Sequence, residues 1–214
     1  MIQLLDSNLH FIDPKDADIS GIVAVGGDLS SERLLLAYRS GIFPWYSEND
    51  PILWHSPNPR FILELDEFKL SRSLKKSMKH FEVHFNRDFE SVIRECASIK
   101  RVGQNGAWLL DEMVNAYIKL HNLGHAMSVE SYQNGELVGG LYGVVVGKIF
   151  CGESMFSHVS DASKVAFASL VQKLKDEKFE LIDAQVYTDH LSSLGAKEIS
   201  RDKFLDRLYK FRDK

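Results

Sequence analysis

Three strand-forming runs between residues 126 and 157, joined by two short turns, limit the possible folds of this chain more than any other stretch. The runs are AMSVESYQ, ELVGGLYGVVVG and IFCGESMFS, with Asn134-Gly135 after the first and Gly147-Lys148 after the second. A two-residue Asn-Gly loop between such runs is typical of a β-hairpin, because its backbone twist matches that of the paired strands. The sequence therefore predicts an antiparallel meander of three strands.

Helical periodicity flanks this meander on both sides, and shorter strands lie between the helices. The predicted helices are SSERLLLAYRSG, SRSLKKSMKHF, DFESVIRECAS, DEMVNAYIKLHNLG, DASKVAFASLVQKLKDEK and SRDKFLDRLYKF, and the other predicted strands are RFILEL, EVHF and LIDAQVY. This order predicts an α+β fold with one mixed sheet covered by helices. Acyltransferases of the N-acetyltransferase type have this order, and so do several other folds.

Residues 43–60 differ in composition from the chain on either side. They hold four of the five prolines and two of the three tryptophans. Proline blocks helix, so a stiff aromatic loop-and-strand segment is predicted here. We place a domain boundary at its end, with a small N-terminal α/β domain over residues 1–59 and a larger domain over residues 60–214.

Charge, cysteine content and hydropathy narrow the class of protein. The net charge of −4 does not indicate a nucleic-acid partner by itself, so a nucleic acid would need a local basic patch. Cys96 and Cys151 form neither a metal-type spacing nor a disulfide framework. The N-terminus lacks the pattern of a signal peptide, and no run approaches the roughly 18–20 apolar residues that span a bilayer. A cytoplasmic protein is expected.

Several chemistries are disfavoured by missing motifs. The chain has neither G-x-x-x-x-G-K-[ST] nor G-x-G-x-x-G, the loops that cradle phosphates. The stretch GESMF lacks the second glycine of a nucleophile elbow, which argues against a serine hydrolase. His121 and His125 are four apart, but Gly124 interrupts the helix between them, so no metal site is expected.

One predicted helix, over residues 69–80, carries positive charge of a single sign. Leu70, Leu74 and Met78 recur every four residues and are predicted to face the core. The basic side chains are Lys69, Arg72, Lys75, Lys76 and Lys79, with no acidic residue among them. Either this is an ordinary solvated face, or it binds a polyanion through contacts that do not read its sequence.

Glu153 stands inside the apolar third run of the meander. A carboxylate loses several kcal/mol on burial unless a partner compensates it, so Glu153 either borders a site or reaches water or an arginine at a strand end. The glycines at 139, 140, 143 and 152 indicate that something approaches these strands closely. A pocket is one interpretation, with a wall formed from Leu141, Phe150, Met155 and Phe156, and plain core is the other.

A second pair of polar residues interrupts the strand LIDAQVY. Asp183 and Gln185 are two apart, so a regular strand would point both to one face and would point Ile182 and Ala184 to the other. The pair either serves a site or lies on the wet face of an edge strand.

The chain resembles the leucyl/phenylalanyl-tRNA–protein transferase family. The matching elements run in family order from about residue 25 to residue 196: GGDLSSERLLLAYRSGIFPW, LWHSPNPR, GGLYGVVVGKIFCGESMFS, SDASK, IDAQVYTDH and SLGA. Three features depart from the family pattern. His55 replaces a second tryptophan found in many members, Thr188 replaces an asparagine, and the chain stops soon after its last helix, where longer members have a tail.

The resemblance implies a catalytic domain of N-acetyltransferase-like fold and a reaction without a separate cofactor or metal. Leucine or phenylalanine, and methionine less well, would move from aminoacyl-tRNA to the N-terminal arginine or lysine of an acceptor protein. The product would enter degradation by the N-end rule, and the enzyme would act as a monomer with no membrane partner. The loop that grips coenzyme A in acetyltransferases of this fold is missing after GESMFS.

The resemblance also implies residue roles. Asp183 and Gln185 match the proposed catalytic pair, in which Gln185 orients the amine and Asp183 polarises or fixes Gln185. Glu153 would meet the basic side chain of the acceptor. The acyl pocket would be lined by Trp108, Leu141, Phe150, Ser154, Met155 and Ile182, with Trp108 able to stack on the terminal adenine. The basic helix would hold the acceptor stem of the tRNA.

Two other functions remain open on the sequence. A coenzyme A-dependent N-acyltransferase would share the fold, although the missing pyrophosphate loop argues against it. A tRNA-binding protein without catalysis would need the basic helix but not Glu153, Asp183 and Gln185 together.

Overall fold

The computed structural model describes residues 2–99 and 109–214, and the strands within them form two sheets. The smaller sheet contains β1 (Gln3–Leu5), β2 (Ile22–Gly26), β3 (Phe43–Pro44) and β4 (Leu53–His55), in the spatial order β1-β2-β4-β3. The larger contains β5 (Arg60–Glu64), β6 (Glu82–Phe85), β7 (Ala126–Gln133), β8 (Glu136–Val146), β9 (Ile149–Ser157), β10 (Leu181–Gln185) and β11 (Lys197–Ile199). Its spatial order is β11-β5-β10-β9-β8-β7-β6.

The predicted meander is confirmed. β7, β8 and β9 pair antiparallel in sequence order, with Gln133 opposite Glu136 and Val146 opposite Ile149 at the two turns. Asn134 and Gly135 both adopt positive φ, as the predicted hairpin requires. β9 then pairs with β10 in parallel, so the sheet is mixed.

Helices cover both faces of the larger sheet, which confirms the α+β class. Within the described residues they are α1 (Ser31–Arg39), α2 (Arg72–Ser77), α3 (Phe89–Ser98), α4 (Asp111–Asn122), α5 (Ala162–Asp176), α6 (Asp189–Ser193) and α7 (Arg201–Phe211). α5 packs on one face through Phe167 and Leu170, and α3 and α4 pack on the other through residues such as Val92 and Tyr117. None of these helices is long and apolar enough to cross a membrane.

The chain passes from the smaller sheet to the larger one close to the predicted boundary, since β4 ends at His55 and β5 begins at Arg60. One apolar core nevertheless extends across both sheets, because Trp54 and Tyr38 belong to the same cluster as Tyr142 and Phe204. The division of the chain into domains at residues 59 and 60 therefore stays a prediction.

The basic helix is shorter than predicted. Ser71 caps α2 by accepting a hydrogen bond of 3.1 Å from the backbone N–H of Leu74, so residues 69 and 70 lie before the helix. Leu70 is consequently 43% exposed, and its predicted place in the core is wrong. Leu74 is buried as predicted, and Met78 begins a 3₁₀ turn that ends at His80.

Most glycines of the meander allow other parts of the protein to pack closely against the strands. A Cβ on Gly139 would lie 2.5 Å from Cβ of Ala162 in α5, and one on Gly143 would lie 2.5 Å from the ring of Phe150. At Gly152 the nearest atom would be 3.8 Å away. Of these three glycines, Gly152 is therefore the one at which a Cβ would make only ordinary contacts.

Candidate active site

A cavity of about 460 Å³ lies between α5 and the centre of the larger sheet. It is bordered by five of the residues predicted to line an acyl pocket: Leu141, Phe150, Ser154, Met155 and Ile182. Trp108, the sixth, lies outside the described residues. Phe167 and Leu170 of α5 close the apolar side, and Glu153 and Gln185 lie at the polar side. The cavity thus combines an apolar slot with a small number of polar side chains, Glu153 and Gln185 among them, the usual composition of a small-ligand site.

Glu153 reaches this cavity because a β-bulge interrupts β9. Tyr142 of β8 pairs with Ser154, and the next residue, Gly143, pairs with Gly152, so Glu153 has no partner across the strand. An extra residue of this kind bends the strand and redirects its side chain, which is why bulges are frequent beside active sites. Glu153 is half-buried as a result.

Gln185 reaches the same cavity through a second irregularity, at the end of β10. The pairing of β10 with β5 shifts register between Asp183 and Gln185, and Gln185 adopts a left-handed φ of +59°. Parallel pairing of β9 with β10 stops at Cys151 opposite Asp183, so the two strands separate beyond that point. Glu153 and Gln185 each lie two residues past this last pair.

A hydrogen bond of 3.1 Å joins the two polar side chains, from Nε2 of Gln185 to Oε1 of Glu153. This bond fixes the orientation of the amide and leaves Oε1 of Gln185 as a free acceptor, because no group within the described residues donates to it. An amine that enters the cavity could therefore donate to Gln185.

Two buried tyrosines hold the other oxygen of Glu153. The hydroxyl of Tyr117 in α4 donates to Oε2 of Glu153 over 3.2 Å, and the hydroxyl of Tyr38 in α1 lies 2.5 Å from that of Tyr117. Burial raises the pKa of Glu153 from 4.5 to about 7, although the hydrogen bonds from Tyr38 and Tyr117 act in the opposite direction. A cation beside this carboxyl would favour its ionised form, and none of the ion pairs among the described residues supplies one.

Asp183 does not face the cavity, so the prediction that it shares a face with Gln185 is wrong. Its carboxylate accepts two hydrogen bonds from Arg60, of 2.8 Å from Nε and 2.6 Å from Nη2, on the opposite side of the strand. Ile182 and Ala184, predicted on the opposite face from Gln185, line the cavity with it. The left-handed residue at 185 breaks the alternation that a regular strand would keep. β10 is also an interior strand, which excludes the edge-strand alternative.

The basic side chains predicted on the helix lie at the surface, on the far side of α5 from the cavity. Leu74 of α2 packs against Val165 and Ala168 of α5, whereas Phe167 and Leu170 of α5 face the cavity. The exposed cations are Lys69, Arg72, Lys75, Lys76 and Lys79. None of the five takes part in the ion pairs formed within residues 2–99 and 109–214. Their charge remains available to a partner.

Sequence reasoning missed four residues around this site. Arg60, Tyr38 and Tyr117 contact the polar groups from elements far away in the chain. Arg60 and Tyr38 lie within matched family motifs, but nothing in the sequence near them indicates these contacts. His190 lines the cavity, and burial together with nearby Lys164 lowers the pKa of its imidazole.

The histidine pair of the sequence analysis has a structural explanation at His121. The Nδ1 atom of His121 forms a hydrogen bond of 2.9 Å with the backbone carbonyl of Ala126. No cluster of three or more metal-binding side chains occurs in the described part of the chain.

Two family models match the chain. Residues 62–209 match the model described as leucyl/phenylalanyl-tRNA protein transferase, and residues 27–58 match the model of its N-terminal domain. A leucyl/phenylalanyl-tRNA–protein transferase from Sulfurimonas denitrificans is 61% identical over 208 residues, covering 97% of this chain and 91% of that protein. One from Flavobacterium johnsoniae is 52% identical over 206 residues, covering 95% of this chain and 97% of that protein.

Solved structures with similar folds are more distant. An aminoglycoside acetyltransferase from an uncultured soil sample aligns with 13% identity and a TM-score of 0.39, covering 54% of this chain and 84% of that one. L-PGS from Bacillus licheniformis aligns with 14% identity and a TM-score of 0.40, covering 80% of this chain and 57% of that one. Scores at this level carry no argument about activity.

Proposed function

The chain belongs to the leucyl/phenylalanyl-tRNA–protein transferase family of enzymes, and we propose that it moves leucine or phenylalanine from aminoacyl-tRNA to the N-terminal arginine or lysine of acceptor proteins. Methionine is a poorer donor in this proposal. The modified protein is directed to degradation by the N-end rule, and the enzyme works in the cytoplasm as a monomer.

The observation that carries the proposal is the Glu153–Gln185 hydrogen bond at the polar side of the apolar cavity. The slot formed by Leu141, Phe150 and Ile182 suits a side chain such as that of leucine or phenylalanine. An ionised carboxylate at its edge suits the cationic side chain of an N-terminal arginine or lysine, since charge-assisted hydrogen bonds are stronger than neutral ones. Both substrates would thus meet where β9 and β10 separate.

The reaction needs positioning more than activation. The ester of aminoacyl-tRNA is already reactive, and an α-amino group with a pKa near ~8 is partly unprotonated at neutral pH. Its nitrogen attacks the ester carbonyl, an amide bond forms, and the bond to the ribose oxygen breaks. The nitrogen loses a proton and the leaving oxygen gains one. Correct alignment alone can supply effective molarities of ~10⁵ M or more.

Each polar residue has a defined role in this scheme. Oε1 of Gln185 accepts a hydrogen bond from the attacking amine and aims its lone pair, because a carboxamide is too weakly basic to remove the proton by itself. Glu153 binds the cationic side chain of the acceptor. Asp183 acts only indirectly, through another residue, since it is completely buried and lines no part of the cavity. Ser154 and Met155 complete the acyl slot.

The five exposed cations around α2 are proposed to hold the phosphates of the acceptor stem. Phosphate contacts position a nucleic acid without reading its bases, which suits an enzyme that accepts several tRNAs. The helix α5 separates these cations from the cavity, so the tRNA would cross this helix to bring its 3′ end to the slot.

One assay separates this proposal from its alternatives. The protein is incubated with radiolabelled leucyl-tRNA and a peptide that begins with arginine, and in parallel with acetyl-coenzyme A and the same peptide. We expect label in the peptide only in the first reaction. Acetylation in the second reaction would favour the coenzyme A-dependent alternative, and tRNA binding without any transfer would leave a non-catalytic binding protein.

A further inference from the structure

We infer that Arg60 is a positioning residue for the transfer reaction, which holds Gln185 in its reactive conformation through Asp183. The inference rests on the proposed role of Gln185. It assigns a function to a buried ion pair that lies outside the cavity and touches no substrate. It also connects the chemistry to the turn that follows α1.

The ion pair is closed to solvent and fully bonded. Arg60 and Asp183 are each 1% exposed, and the guanidinium donates to both carboxylate oxygens. Nη1 of Arg60 donates to the carbonyl of Gly41 over 3.1 Å. The guanidinium carbon also lies 4.9 Å from the ring centroid of Phe43 and 4.4 Å from that of Phe204. Burying two charges is costly, and hydrogen bonds to both groups offset this cost. The same contacts fix the geometry of the pair closely.

Asp183 connects this fixed ion pair to the backbone of Gln185. Oδ1 of Asp183 accepts a hydrogen bond of 3.1 Å from the backbone N–H of Gln185. Gln185 has a φ of +59°, a strained conformation for a residue other than glycine. Conformations of this kind persist only where the surroundings impose them. Without the bond to Asp183, Gln185 could return to an extended conformation and turn its amide away from Glu153.

A positioning role and a chemical role therefore make different demands on Asp183. Positioning requires an oxygen that accepts from the N–H of Gln185, and it requires a partner that holds this oxygen still. It does not require a negative charge. A chemical role for Asp183 as a polarising anion would require the charge, and this difference can be tested.

The test uses a cycle of variants: Arg60→Gln, Asp183→Asn and the double variant that contains both. Each single change leaves one buried charge without its partner, whereas the double variant has neither charge and keeps an amide oxygen at position 183. We expect kcat of each single variant to fall on the order of 100-fold, as for a misplacement of about 1 Å, with KM for leucyl-tRNA little changed. We expect kcat of the double variant to recover most of this loss.

Two controls separate positioning from general instability. Leu174→Ala removes a fully buried side chain of α5 that lies outside the cavity and the ion pair, so it should lower the melting temperature without lowering kcat. Gln185→Ala tests the proposed function itself, and a normal kcat there would remove the role of Gln185 whatever the ion pair does.

Provided that Gln185→Ala is inactive, two results would overturn the inference. One is a double variant that stays as slow as Asp183→Asn, which would assign a chemical role to the charge. The other is a pair of folded single variants with the kcat of the unaltered protein. Should a single variant fail to fold, the double variant decides the matter by its kcat alone.

Discussion

The amide of Gln185 donates a 3.1 Å hydrogen bond to Glu153, although the two residues belong to strands that have stopped pairing two residues earlier. Each residue lies at a break in its own strand, a bulge in β9 and a left-handed residue in β10. The two breaks turn Glu153 and Gln185 toward a cavity with a large apolar wall.

Replacing Glu153 with glutamine should change the choice of acceptor. Loss of one partner from a buried, hydrogen-bonded charge pair costs about 2–5 kcal/mol, so kcat/KM for a peptide beginning with arginine should fall about 30-fold or more. A peptide beginning with alanine places no cation against Glu153 and should lose far less. The measurement is transfer of labelled leucine to both peptides.

Glu90→Gln is the matched control, since this glutamate is an exposed partner of Arg94 in α3, remote from the cavity polar pair. It should leave both peptides unaffected. An equal loss with the two peptides in Glu153→Gln would contradict the proposed role of Glu153 in acceptor recognition.

The raised pKa of Glu153 should make the protein less stable as the pH rises. Its folded-state pKa of about 7 exceeds its ordinary value of 4.5, so the folded state holds the proton more tightly than the unfolded state. The stabilisation from this proton is complete below pH 4.5 and is lost as the pH rises through about 7. Relative to the unaltered protein, Glu153→Gln should gain about 1–3 kcal/mol at pH 8, a figure reduced for the carboxylate's contact with the cavity solvent.

Urea unfolding at pH 5 and pH 8 measures this difference. The advantage of Glu153→Gln over the unaltered protein should be several-fold larger at pH 8, because only there is the half-buried carboxylate mostly ionised in the folded state. An advantage that does not change with pH would show that the carboxylate titrates normally. The same titration predicts that KM for an arginine-starting peptide decreases as the pH rises through about 7.

A side chain at position 152 should narrow the acyl slot without unfolding the protein. A Cβ there would meet Phe150 at 3.8 Å and Ile182 at 3.9 Å, which are ordinary contacts. Gly152→Ala and then Gly152→Val should reduce transfer of phenylalanine more than transfer of the smaller leucine. The measurement is the ratio of the two kcat/KM values for each variant.

Gly143→Ala provides the contrast, because its Cβ would lie 2.3 Å from the carbonyl oxygen of Cys151. That substitution should lower the melting temperature by several degrees, a loss that Gly152→Ala should not share. If the ratio of phenylalanine to leucine transfer stays constant in the Gly152 series, the slot does not hold the donor side chain.

Reversing the charge of Lys75 and Lys76 should weaken binding of tRNA through its phosphates. Each lost phosphate contact should reduce the slope of log K against log salt by about 0.7–0.9. The apparent KM for leucyl-tRNA should therefore rise, and its salt dependence should become shallower. Reversal of the exposed Lys203 and Lys210 in α7 is the control and should change neither quantity. An unchanged salt slope in the first variant would make the basic face of α2 an ordinary solvated surface.

The sequence determined the regular parts of this fold. Periodicity of two or of 3.6 residues, together with Asn-Gly and glycine signals, depends only on neighbours along the chain, and the meander and most helices were predictable from it. Helix caps were equally local, as with Ser200, which accepts from the backbone N–H of Lys203. The lining residues Leu141, Phe150 and Ile182 followed from family motifs carried by the same strands.

Tertiary structure decided how the polar groups are aimed. Alternation along LIDAQVY predicts that Asp183 and Gln185 share a face, but a left-handed residue and a register shift against β5 turn Gln185 to the cavity and leave Asp183 facing Arg60. Arg60 and Asp183 are 123 positions apart, and Tyr117 reaches Glu153 across 36. A bulge exists only relative to a partner strand, and a buried ion pair exists only once the chain has closed around it, so neither leaves a periodic signal in the sequence.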